Sequence, residues 1–169
     1  MLQLLSVLMV LYSYFLIETS IPKLPRLIPT HFNAAGVPNG WGSPQTLWFL
    51  FGAQVLTCAV FLAVPYIGLR HPQKVHLGSR RLSDFPPAQR ARILPMLNLM
   101  GASLSLVTNL FFVYMLRQNI RAAMEPIPHS DARLPLLLLV AGTLAVVLYF
   151  TTRFSRAAKS SDDGNSPDA

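Results

Sequence analysis

Apolar residues in this chain gather into four long runs, at about residues 2–20, 44–69, 91–116 and 134–152. Polar and conformationally special residues lie mostly between them. Each run is long enough to span a bilayer, whose hydrocarbon core of about 30 Å takes about 20 helical residues. A signal peptide is the competing reading of the first run. It would need a basic start and a small-residue cleavage site. No Lys or Arg precedes Lys23 and no A-x-A pattern follows, so a retained helix is expected. The third run continues as a helix to about Met124. The pattern predicts an all-α fold: an integral membrane four-helix bundle with an ordered extracytoplasmic loop, residues 21–43, between helices 1 and 2. Residues 1–156 form a single membrane domain, and the polar stretch 157–169 is expected to be a disordered cytoplasmic tail.

The longest stretch that is neither apolar nor merely charged is LPRLIPTHFNAAGVPNGWGS, residues 24–43. Pro25 and Pro29 fix φ and hold the residues before them extended, predicting a stiff, non-helical arm. Gly36 and Pro38-Asn39-Gly40 are turn chemistry, with Gly36 and Gly40 expected at positive φ. Ser43-Pro44 reads as a helix start, with Ser43 as N-cap. The distinctive side chains are His31, Phe32, Asn33 and Trp41. In so rigid a loop, His31 and Asn33 are expected to hydrogen-bond internally or to the ends of the first two helices. Glu18, closing the first helix, is a candidate polar partner for His31.

This run resembles the signature of a bacterial membrane family of unknown function, whose better-known relatives are of the Sdp immunity protein type. Such proteins protect a bacterium from its own secreted toxin and pass a signal to a repressor. The resemblance implies a motif loop, carried by Pro29, His31, Phe32, Asn33, Gly36, Gly40 and Trp41, that meets another membrane protein or a secreted peptide or toxin. Family members often carry an acid at the position of Asn39 and a lysine at that of Pro44.

Composition agrees with a membrane protein. Only 12% of the 169 residues are charged, about half the usual share of a soluble domain, and the mean hydropathy is +0.43. A formal charge of +7 suggests nucleic acid in a soluble protein, but here the basic residues flank apolar runs and set topology, so no nucleic-acid partner is expected. Arg70, Lys74, Arg80, Arg81, Arg90, Arg92, Arg153, Arg156 and Lys159 fall on one side of four spans. Lys23, Arg26, Arg117, Arg121 and Arg133 fall on the other. The excess places both termini in the cytoplasm of a multi-pass protein of the bacterial inner membrane, with residues 24–43 outward.

Few residues carry chemistry. There is no phosphate-binding loop, nucleophile elbow, H-E-x-x-H or C-x-x-C, and Cys58 is alone. His71 and His76 lack further ligands nearby, so no metal, cofactor or catalytic residue is assigned. Asn98, Gly101, Ala102, Ser105 and Asn109 share a face of the third helix and read as packing. The expectation is a non-enzymatic binding, immunity or signalling module. The alternative is a small enzyme, metal-binding protein or transporter using Glu18, His31 and that polar face, with His129 as a conceivable third ligand.

Overall fold

The computed structural model describes residues 1–78, 80–128, 130 and 133–159. Its frame is four helices: α1 Leu2–Ser20, α2 Leu47–Arg70, α3 Pro87–Met124 and α4 Arg133–Lys159. All four are long and apolar enough to cross a membrane. Leu4, Leu8, Leu11 and Phe15 on α1, and Leu136, Leu137 and Leu138 on α4, are exposed. This is what a lipid-facing surface requires, because acyl chains solvate such side chains as well as a second protein layer would.

α3 is the central helix and packs against α1, α2 and α4. Its 38 residues run roughly 57 Å at 1.5 Å per residue, well beyond the hydrocarbon thickness of about 30 Å. It begins at Pro87, directly after Pro86, one polar turn ahead of the apolar run. Proline at the first helical position loses no bond, since that N–H would be unpaired anyway. α2 is led in by a 3-10 turn, Pro44–Thr46. The Ser43 side chain makes no capping bond there. Its carbonyl instead accepts from the Thr46 N–H at 3.0 Å and hydroxyl at 2.7 Å.

Small and amide side chains join the helices. Ser6, Ser13 and Ser20 are buried along one face of α1. A Cβ added to Gly101 would meet the Phe61 carbonyl oxygen at 2.8 Å, so α3 lies directly on the α2 backbone there. Gln54 Nε2 donates to Asn109 Oδ1 at 2.9 Å, and Asn109 Nδ2 donates to the Ser105 carbonyl at 2.8 Å. The Ser105 hydroxyl reaches Cys58 Sγ at 3.6 Å. The bonds between α2 and α3 are worth about 0.6–2 kcal/mol each in a membrane. The face expected to pack on α3 therefore packs, except for Asn98, which is exposed and accepts from Gln3 Nε2 of α1 at 2.5 Å.

The fold is mostly helical but not all-α. Residues 24–43 contain an antiparallel hairpin, β1 Ile28–Phe32 and β2 Pro38–Gly42. Proline counts against a strand because it cannot donate to the ladder. A ribbon of only two strands has two free edges, so Pro29 and Pro38 are tolerated. Beyond α2, residues 71–86 carry a smaller ribbon, β3 His76–Leu77 and β4 Arg80–Arg81. Each end of the bundle has its own apolar core. Ile17, Ile28, Leu47, Leu116, Ile120 and Ala123 form one, and Leu82, Phe85, Ile93 and Leu97 the other. α4 continues through Lys159, so residues 157–159, expected in a disordered tail, are helical. Residues 160–169 lie outside the described residues.

Candidate functional site

The hairpin is the best-defined polar feature, and it is fixed from three directions. At its root, Ile28 and Pro29 are fully buried, with Ile28 packed among Ile17, Leu47, Leu116 and Ile120. At its tip, Asn33 organises the turn. Its side-chain oxygen accepts from the Ala35 and Val37 N–H groups at 2.9 and 3.0 Å, and its own N–H donates to the Val37 carbonyl at 2.9 Å. Gly36 sits at φ +78°, a region open to glycine at little cost. The chain between α3 and α4 then holds the turn from outside. The Ser130 N–H donates to the Gly36 carbonyl at 3.1 Å, and Arg133 Nε donates to the Ala34 carbonyl at 3.0 Å.

Gly40 has no positive φ, contrary to expectation. It is constrained by space. A Cβ at Gly40 would lie 3.0 Å from His31 Cβ, and one at Gly42 3.0 Å from Thr30 Cγ2. The two β2 glycines thus make room for Thr30 and His31 across the ribbon. The register shifts on both sides of His31, and this irregularity brings its ring to Asn39, whose Oδ1 accepts from His31 Nδ1. Asn39 was not singled out from the sequence. Its one signal is its place in the turn chemistry, eight residues after His31, at the position where similar motifs carry an acid.

His31, Thr30 and Phe32 line a pocket of about 480 Å³ between β1, the start of α2 and α3. Its walls are mainly apolar, from Leu47, Phe49, Leu50 and Met115, with Thr46, Asn119 and Ser130 as further polar groups. This size and mixture suit a small ligand or one peptide side chain. A larger groove of about 840 Å³ runs along the end of α3 beside Leu16. There Arg121 and Glu125 pair with each other at 2.8 Å, and Arg117 and Gln118 add further polar groups. On the same ribbon Trp41 is 55% exposed, and Leu27 at its root and Val37 in its turn are exposed as well.

Glu18 is exposed, and no hydrogen bond joins it to His31. The pairing considered from the sequence does not form, because the register irregularity gives His31 a partner within the hairpin. Among the described residues, no three His, Cys, Asp or Glu side chains cluster as a metal site. His129, the conceivable third ligand, lies outside the described residues. Trp48 stacks near Tyr14 at 5.7 Å and Phe51 at 5.5 Å, an aromatic group where α1 and α2 meet the hairpin, as at a membrane–water interface.

A family model described as a domain of unknown function, DUF1648, matches residues 4–55. The matched stretch runs through α1 and the hairpin into the first turns of α2 and contains every residue of the motif. α3 and α4 lie beyond it. No curated protein and no solved structure matches the chain.

Proposed function

We propose that this protein is a non-enzymatic, multi-pass membrane module that recognises a partner through the hairpin, on the outward side of a cell membrane with both termini in the cytoplasm. The partner class is another membrane protein or a secreted peptide, and immunity or signalling is the role that the resemblance of residues 24–43 supports. One observation carries the reading. The hairpin is held at its root and at its turn, yet it leaves Leu27, Val37 and Trp41 exposed, Trp41 at 55%, on a ribbon whose first strand lines a mainly apolar pocket. An exposed tryptophan on an ordered backbone is a common anchor of a recognition surface. The asymmetry of basic residues supports the orientation. Against an enzyme or transporter stands the use of the polar groups: the polar face of α3 is spent on Gln54 and Cys58, and His31 is bonded to Asn39.

Reporter fusions after residues 36 and 80 test the orientation, with an outward signal expected only from the first. For recognition, cells carrying the wild type or Trp41→Ala are challenged with the secreted peptides of the source organism. The wild type should protect, and Trp41→Ala should lose protection while melting like the wild type in detergent. Full protection by Trp41→Ala would overturn the hairpin reading. His31→Gln should keep protection, because an amide can donate to Asn39 in place of Nδ1. Stoichiometric zinc or copper in the purified wild type, lost in His31→Gln, would replace this reading with a metal-dependent one.

A further inference from the structure

At the end of the bundle away from the hairpin, α3 and α4 enclose a pocket of about 310 Å³ lined by Gln89, Arg92, Met96, Arg153, Arg156 and Ala157. Three arginine side chains thus line one small space. Like charges so placed repel unless an anion lies between them, and the described acids do not supply one. Glu125 pairs with Arg121 at the opposite end, Glu18 also closes α1 at that end, and Asp84 accepts from the Arg81 backbone at 2.9 Å. Arg153 lies 5.7 Å from the Tyr149 ring centre, a cation–π contact that restrains its side chain.

The depth of the pocket narrows the ligand. Arg92 immediately precedes the apolar stretch of α3, and Arg153 immediately follows that of α4. The pocket therefore opens where both helices leave the hydrocarbon, at the level of lipid phosphates. We propose that it binds the phosphate headgroup of an anionic phospholipid. Arg92, Arg153 and Arg156 take the phosphate oxygens through their planar forks, Gln89 adds an amide, and Met96 meets the start of the acyl chains. The apolar wall at Met96 favours a lipid over free phosphate, which would gain nothing from it.

The test uses the full-length protein in detergent, with native mass spectrometry counting retained phosphatidylglycerol against phosphatidylcholine. Both carry a phosphodiester, and only the first has net charge. The wild type should prefer phosphatidylglycerol by about tenfold, on the scale expected for clustered Arg at a headgroup. Arg92→Gln with Arg156→Gln should bring the preference close to unity. Arg70→Gln with Arg81→Gln removes the same charge from the same end and should leave the preference in place. A wild type without preference overturns the proposal and needs no variant to be folded. Equal loss in both double variants also overturns it, in favour of diffuse attraction. Displacement of the lipid by millimolar inorganic phosphate would reassign the pocket to free phosphate and overturn the lipid assignment.

Discussion

The two ends of this bundle each carry a two-stranded ribbon over a small apolar core, and they are stabilised in different ways. At the hairpin end the contacts are long-range. Ser130 and Arg133 hold the turn carbonyls of Gly36 and Ala34, and the core draws on α1, β1, α2 and α3. At the other end the bonds are local. Asp84 serves Arg81, three residues before it, and Leu82 N–H reaches the Val75 carbonyl at 2.8 Å. Gly78, at φ +66°, turns in open space, with no atom within 4 Å of an added Cβ. Charge also differs: Arg80 and Arg81 form β4 itself, and Arg80 rests 5.0 Å from the Phe85 ring centre. Long-range clamping preserves a shape against the entropy of the loop. Local bonding with dense positive charge needs only to keep Arg side chains at the membrane surface.

The sharpest way to break this comparison is to empty each core. Ile28→Ala and Leu82→Ala each remove a fully buried side chain, at a cost of about 2–5 kcal/mol. Ile28→Ala should raise hydrogen exchange across residues 28–42 and also across 116–123 of α3, because that core joins four elements. Leu82→Ala should raise it across 75–97 and around Gly68 and Phe154, which also pack on that core, and should leave residues 28–42 unchanged. If Leu82→Ala also loosens the hairpin, the two ends unfold as one unit and the contrast fails.

The two turn glycines give a smaller effect. Gly36→Val and Gly78→Val each force a β-branched residue to positive φ, at about 1–3 kcal/mol. Gly36 is buried and its carbonyl accepts from the Ser130 N–H, so strain there also loads the clamp. It should lower the melting temperature in detergent more than Gly78→Val does. Equal shifts would show that φ alone decides. Arg133→Ala removes the side-chain donors to Ala34 and should cost about 1–2 kcal/mol or more, the scale of a charge-assisted bond. Its signature is faster proteolysis within residues 33–37 with the helices intact.

The helices were legible because a bilayer imposes one strong requirement, a long apolar run, and nothing soluble competes with it. The small-residue face of α3 was legible for the same reason, since Gly101 and Ser105 in such a run signal close helix approach. The hairpin was not. Pro29 and Pro38 argue against strands by a rule that applies to wide sheets and lapses in a two-stranded ribbon. The tight fit of Gly40 also escaped, because a glycine near proline and asparagine reads equally as a positive-φ turn residue and as a space for the side chain across the ribbon. The His31–Asn39 pair depends on a register irregularity, which one strand's sequence does not encode. Glu18 stood in its place because sequence proximity to the loop was the only guide to partners. The clamp from Ser130 and Arg133 joins residues nearly a hundred positions apart, and no local pattern announces it.

The smallest expected effect concerns pH and separates the two ends most cleanly. The Asp84 carboxyl is held below its ordinary value of 3.8, first by the Arg81 backbone N–H and further by the Ser83 hydroxyl and the charges of Arg81 and Arg80. The folded state therefore favours the ionised form. Its contribution is fully present above the unfolded value and is lost as pH falls through the lower folded value. Because Asp84 is fully exposed, the loss should be local and should leave global melting unchanged. Amide protection at Arg81 and Leu82 should step down as pH falls below about 4, and Asp84→Asn should show low protection at every pH. The bonds from the Ala35 and Val37 N–H groups to the Asn33 side chain in the hairpin turn should show no such step, because an amide oxygen does not titrate. Protection at Arg81 that stays constant through the acid range would mean that the backbone of β4, rather than the carboxylate, orders that turn. The local bonding at this end would then rest on its ribbon alone.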